Sequence, residues 1–94
     1  MKISGIIWLE TVLEKLEHKH NVRREEVRET LEQSPRFRFV EKGFRRDEHV
    51  YAALGPTEAG RYLIVFFVYR KDQRIIILSA RDMTDGERRR YERK

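Results

Sequence analysis

Ninety-four residues, 39% of them hydrophobic and 39% charged, suffice for one small core and exclude a multidomain enzyme. The formal net charge is +5, and the absence of cysteine excludes disulfides, thiolate zinc sites and cysteine nucleophiles. The longest apolar run, Tyr62 to Tyr69, is far shorter than the roughly twenty residues that cross a bilayer, and no leader-like segment opens the chain, so a cytoplasmic location is expected.

Taken in chain order, Ile3 to Trp8 is a short apolar stretch around Gly5 with the composition of an edge strand. A helical pattern follows: Leu9, Val12, Leu13 and Leu16 stand at i, i+3, i+4 and i+7, with Glu10, Glu14, Lys15 and Glu17 between them. His20 falls on the same stripe, and the pattern stops at Asn21, a residue that tolerates the left-handed conformation of a helix end. A second helix is expected from Arg23 to about Gln33, closed by Ser34-Pro35, because the residue before proline is disfavoured in the helical region.

Beyond Pro35 the period changes to two. Phe37 and Phe39 alternate with Arg36 and Arg38, then Val50 and Ala52 with Tyr51 and Ala53, and Gly55-Pro56 reads as the closing turn. Tyr62–Tyr69 and Ile75–Ala80 are apolar on both faces, the pattern of central strands covered on two sides, with Arg70-Lys71-Asp72-Gln73 as their hairpin loop. Glu87-Arg88-Arg89-Arg90-Tyr91 reads as a charged C-terminal helix that Thr84 or Asp85 can cap. The order is that of an α+β fold: two N-terminal helices, an antiparallel sheet of about four strands and a C-terminal helix, in a single domain over residues 1–94.

The charge is unevenly spread. Residues 1–34 hold six Lys/Arg against seven Asp/Glu, and residues 35–94 hold fifteen against nine. Such asymmetry favours an anionic partner, whether nucleic acid, a membrane surface or an acidic protein, and it is also found on the charge-rich surfaces of heat-adapted proteins. Neither N-terminal helix joins a basic face to a broad aromatic and leucine face, so membrane binding is not expected.

Several strings in order resemble the BrnT toxins of bacterial type II toxin–antitoxin modules, small ribonucleases with a RelE-like fold. That family typically shows an F-x-W strand, a helix ending K-H-G-V, a glutamate-rich helix, a G-x-T-x-x-G-R turn, an I-S-A-R strand end and a closing E-R-x-x-Y. Here Ile6-Ile7-Trp8, Lys19-His20-Asn21-Val22, Gly55-Pro56-Thr57-Glu58-Ala59-Gly60-Arg61, Leu78-Ser79-Ala80-Arg81 and Glu87-Arg88-Arg89-Arg90-Tyr91 stand in those places. Family members commonly carry an aspartate after the tryptophan and a lysine three residues later, where this chain has Leu9 and Val12. Asn21 replaces the usual glycine, and Val50 the usual arginine of the middle strand.

The resemblance implies a metal-independent endoribonuclease, without cofactor, restrained by a cognate BrnA-like antitoxin. Cleavage by the 2′-hydroxyl needs a base, cations for the phosphorane and an acid for the leaving 5′-oxygen. The resemblance points to His20, Lys19, Arg61, Arg81 and Tyr91 as catalytic candidates. Arg70, Arg74, Arg88 and Arg89 are candidates for RNA binding, the last two as a broad fringe on a helix. If the two apolar strands pair through the Arg70–Gln73 loop, position 62 faces 81, and Arg61 and Arg81 are expected near each other as a phosphate clamp.

Each candidate also has a structural reading: His20 as a helix-packing residue, Lys19 as a solvated neighbour, Arg61 and Arg81 as ion-pair partners of Glu58 or Asp82, and Tyr91 as a packing group. His18 and His20, two apart on a helix, point to different faces, so no metal site is expected. The alternative to a nuclease is a non-catalytic RNA- or protein-binding module on the same fold, motivated by Leu9, Val12 and Val50. A homodimer and a heterotetramer with the antitoxin both stay open.

Overall fold

A computed structural model describes residues 1–93. Its elements are β1 (Gly5–Ile7), α1 (Glu10–Lys19), α2 (Arg24–Glu32), β2 (Arg36–Glu41), β3 (His49–Pro56), β4 (Tyr62–Tyr69), β5 (Arg74–Asp82) and α3 (Asp85–Glu92). The strands form one sheet in the order β1-β5-β4-β3-β2. The α+β class and the placing of the helices agree with the sequence reading. The sheet has five strands instead of about four and is mixed instead of antiparallel, because β1 runs parallel to β5 with Gly5 opposite Arg74 and Ile7 opposite Ile76. No helix among the described residues is long and apolar enough to cross a membrane.

The predicted turn at Gly55-Pro56 is instead the end of a strand, with Gly55 opposite Leu63 and Pro56 opposite Tyr62. Proline is tolerated there because the end of a strand need not donate a ladder hydrogen bond. The turn itself lies at Thr57–Arg61. Thr57 N–H donates to the Arg61 carbonyl at 2.8 Å, and Thr57 Oγ1 accepts from the Arg61 N–H at 3.1 Å. Gly60 supplies the left-handed step at φ +88°, a conformation that costs glycine least.

The end of α1 is closed by a left-handed residue and a bond back into the last turn. Val22 N–H reaches back to the Leu16 carbonyl at 3.0 Å, Asn21 takes φ +51°, and both apolar partners, Leu16 and Val22, are buried. Asn21 therefore takes a left-handed position in which glycine is otherwise favoured.

One face of the sheet is closed by α1 and α2. Leu16, Val22 and Val27 pack with Ala53, Leu63, Val65, Phe67, Ile75, Ile77 and Ala80, and Phe67 meets Phe37 edge-on at 6.1 Å between ring centres. The opposite face carries Ala52, Leu54 and Ile64, packed with Phe66, Met83 and Tyr91. Eight residues of α3 cover only one end of it. At the other end Val50, Val68 and Leu78 line an open cavity of about 660 Å³ under the loop that holds Phe44. Both central strands are apolar on two faces, as their composition indicated, yet only one face is fully covered.

Phe67→Ala is expected to cost about 3–5 kcal/mol in urea unfolding, the range for truncating a buried aromatic. Leu78→Ser, on the open face where the residue is 37% exposed, is expected to cost only about 1–2 kcal/mol. Comparable losses in the two variants would contradict the difference between the faces.

Candidate active site

Charged side chains gather where β4 begins and β5 ends, on both sides of the sheet. On the helical side the organising group is Arg61. Its Nε donates to Asp82 Oδ1 at 2.6 Å and its Nη2 to Asp82 Oδ2 at 3.1 Å and to the His20 carbonyl at 3.1 Å. Nη1 donates to the Asn21 carbonyl at 2.7 Å and to both Glu26 oxygens at 3.2 and 3.3 Å. A guanidinium has five N–H groups, and all five of these are directed at acceptors. The hydrogen bonds that Arg61 donates to Asp82 and Glu26 raise its pKa further and hold the Asp82 carboxyl below its ordinary range.

Glu26 is buried and also accepts the Arg23 N–H at 3.0 Å, so it starts α2 while it holds Arg61. The result is a tether from the first residue after the turn to the end of α1, the start of α2 and the end of β5. Two of its acceptors are carbonyls at the C-terminus of α1, where a cation is favoured by the helix dipole.

Arg81 sits on the other face. Cross-strand pairing sets Ile64 opposite Arg81 and Leu63 opposite Asp82, two positions along from the expected match of 62 with 81. Because side chains alternate, Arg81 points with Ile64 toward α3, whereas Arg61 lies with Leu63 and Asp82 on the side of α1 and α2. The expected clamp of Arg61 with Arg81 is therefore not formed. Arg81 meets Glu87 in a two-pronged pair, Nη1 to Oε1 at 2.7 Å and Nη2 to Oε2 at 2.9 Å, and its Cζ lies 5.6 Å from the centre of the Phe66 ring. A third bond runs to the Asp82 carbonyl at 3.1 Å. Nε–H and one Nη2–H remain without a partner among the described residues.

Glu87 does two things at once. It accepts the Thr84 N–H at 2.8 Å while Thr84 Oγ1 accepts the Glu87 N–H at 3.1 Å, a capping box that starts α3. The Arg81 guanidinium, assisted by the cap, lowers its pKa from the ordinary 4.5 to about 2. The helix is then held down by alternating cations and rings. The Arg88 Cζ lies 4.0 Å from the Tyr62 ring centre, Tyr62 meets Tyr91 edge-on at 5.9 Å, and the Arg36 Cζ is 5.3 Å from the Tyr91 ring centre.

The remaining candidates separate. Lys19 is exposed at the last turn of α1, and half-buried His20 follows it, with a side chain that makes no hydrogen bond among the described residues. Tyr91 is on the opposite side of the sheet from them, in the cluster with Phe66. Arg70 and Arg74 lie at the hairpin end of β4 and β5, both paired with Asp72, at 3.7 and 2.8 Å. That is the far end of the strands from Arg81, about 25 Å along an eight-residue strand. Arg88 and Arg89 are exposed on α3.

Two anchoring residues, Glu26 and Glu87, were not singled out from the sequence as site residues, whereas Asp82 is found as the ion-pair partner expected for Arg61. The Thr84-x-x-Glu87 spacing was a signal for Glu87. His49 accepts the Gly43 N–H at Nδ1, 3.3 Å, and so fastens the loop before β3.

These features define a small α+β protein whose mixed sheet carries, on both sides of one end, arginines set against carboxylates, carbonyls and aromatic rings. Residues 8–87 match the family model described as the ribonuclease toxin, BrnT, of type II toxin–antitoxin systems, and the chain therefore belongs to the BrnT toxin family. An RNA substrate and an antitoxin protein are the partners this class implies. None of the curated proteins compared with the chain matches it.

Arg61→Lys keeps the charge and loses the fork. It is expected to destabilise the fold by about 2 kcal/mol in urea unfolding, since buried Glu26 loses its principal partner. Hydrogen exchange at the Val22 amide should quicken with it, and wild-type protection there would show that the tether does not hold the turn. A second expectation concerns acid. The lowered pKa of Glu87 stabilises the fold above about pH 4.5, and this contribution is lost as pH falls from 4.5 toward 2. Glu87→Gln should lower the melting temperature at pH 7 and flatten its decline over that interval, leaving the part due to Asp82. An identical acid profile in the variant would refute this.

Proposed function

We propose that this chain is a metal-independent endoribonuclease toxin that cleaves RNA through attack by the 2′-hydroxyl, and that a BrnA-like antitoxin restrains it in the cytoplasm. The observation that carries the reading is Arg81: a guanidinium oriented by Glu87 and Phe66 with two N–H groups to spare, in a chain of a ribonuclease toxin family. Such a group is a preorganised donor for the charge that grows on the phosphorane.

In this reading the RNA lies across the ends of β4 and β5, and His20 takes the proton from the 2′-oxygen as that oxygen bonds to phosphorus. Lys19 and Arg81 offset the charge of the phosphorane. The departing 5′-oxygen takes its proton from water, because Tyr91 lies across the sheet from His20, and the products end in a 2′,3′-cyclic phosphate and a 5′-hydroxyl. Asp82 joins the two sides of this rim, since its side chain holds Arg61 and its carbonyl accepts from Arg81. Arg61, with every donor committed, acts here by holding the turn that presents His20. Of the RNA-binding candidates, Arg88 and Arg89 flank this rim, and Arg70 and Arg74 would reach only a longer strand.

A non-catalytic RNA-binding module is the second reading, and one observation favours it: both arginines expected to meet phosphate are already paired with carboxylates. Purified protein incubated with RNA in EDTA separates the two. The nuclease reading expects products ending in cyclic phosphate and a loss of about 100-fold or more in kcat/KM for Arg81→Ala, the scale for removing one charge-stabilising donor. Salt-sensitive binding without products, or equal cleavage by the variant, would sink it.

A further inference from the structure

Between α3 and the outer strand β2 lies a second concavity, of about 280 Å³, lined by Arg36, Phe37, Arg38, Leu54, Arg90 and Tyr91. Its position follows from the register. Arg36 is opposite Leu54 and Arg38 opposite Ala52, so both arginines project from the face that carries α3. Arg90 and Tyr91 come down on them from the helix. The apolar floor is Leu54 and the Tyr91 ring, with the Arg36 guanidinium over that ring.

The electrostatics of this concavity differ from those around Arg61 and Arg81. There each guanidinium meets a carboxylate, and the same holds for Arg70 and Arg74. Arg36, Arg38 and Arg90 make no ion pair among the described residues, and the side-chain bond of Arg36 runs to the Arg93 carbonyl at 2.6 Å. Three like charges gathered at one small concavity repel one another unless an anion joins them. The Arg36 guanidinium over the Tyr91 ring suits a base that can stack.

We propose that this concavity is a nucleotide subsite, in which an unpaired nucleotide of RNA sets its phosphate between Arg38 and Arg90 and stacks its base on the Arg36 guanidinium that covers the Tyr91 ring. The proposal rests on the reading of the chain as an RNA-cleaving protein and extends it by placing substrate on β2, outside the rim. Arg36 and Arg81 stand at the two ends of one row across β2, β3, β4 and β5, with Leu54 and Ile64 between them buried under the α3 side, so a strand of RNA joining the two would pass over the helix. Three strand spacings separate the ends of that row, about 14 Å, which a short single strand can span. The volume is at the low end for a ligand cavity and fits one nucleotide, not a duplex.

The test uses the full chain, a short fluorescein-labelled single-stranded RNA and three variants: Arg38→Gln, Arg90→Gln and, as a control for diffuse charge, Arg46→Gln on the loop between β2 and β3. The first two are expected to raise Kd and KM about 5- to 10-fold each, to leave kcat at saturating RNA unchanged, and to make the logarithmic salt dependence shallower by about 0.7 per arginine removed. The control should change Kd less than 2-fold. Unchanged affinity in the Arg38 and Arg90 variants would overturn the subsite and leave the concavity to a protein partner. An equal loss in the control would also overturn it, in favour of general attraction. Cleavage by the wild-type chain with no effect of either variant removes the subsite alone. Binding that depends on Arg38 and Arg90, without any cleavage, removes the nuclease reading and keeps the subsite.

Discussion

The fork of Arg61 fixes where everything else stands. One half-buried guanidinium reaches two carboxylates and two helix-end carbonyls that belong to four separate stretches of chain, counting the turn it comes from. The core packs these stretches together, and the fork supplies the polar partners that the core cannot. The carbonyls of His20 and Asn21 have no partner in their own helix, Glu26 is buried and charged, and Asp82 ends a strand. A buried carboxylate is costly unless it is paired, and a helix end is costly unless its carbonyls are met. A planar group with five donors answers both demands at a single point, which a lysine could not do.

Strand alternation then divides the work. Asp82 turns to Arg61, and the residue before it must face the other way, so Arg81 is delivered to the side where α3 lies. There it finds Glu87, which the capping box has already oriented. The helix carries no buried residue of its own. It is held by that ion pair, by Tyr91 in the small apolar cluster and by arginines stacked on Tyr62 and Tyr91. A helix attached in this way leaves a cationic seam along its border with β2, because the arginines that do not hold it down have no carboxylate to meet.

How much of this was legible depended on whether a residue's role is local. The stripe of α1, the stop at Asn21, the strands Tyr62–Tyr69 and Ile75–Ala80 and the Thr84 cap all follow from near neighbours, and each is found in the fold. The pairing of β1 with β5 joins residues some seventy positions apart, and nothing in a three-residue strand announces such a partner. The clamp of Arg61 with Arg81 failed for a reason that strand composition and loop length do not announce. Two odd-numbered positions on paired strands share a face only if the register sets odd against odd, and here the open end pairs Ile64 with Arg81. Between Phe66 and Phe67 the register shifts, so counting from the hairpin loop could not have given the match at the far end.

The G-x-T-x-x-G-R string acquires a physical meaning that does not require it to touch substrate. Thr57 closes the turn through its hydroxyl, Gly60 takes the left-handed step, and Arg61 leaves the turn with its donors aimed at the α1 end. Such a motif can therefore serve by setting the turn against the end of α1, while the cationic donors left open lie elsewhere. They are on the opposite face, in the two open donors of Arg81 and in the guanidinium groups of Arg36, Arg38 and Arg90. The surplus of cations after residue 34 accordingly serves different ends. Some are spent on carboxylates and carbonyls, Arg38 and Arg90 remain outward along the seam where α3 meets the sheet, and Lys42, Arg45 and Arg46 stand on the loop between β2 and β3.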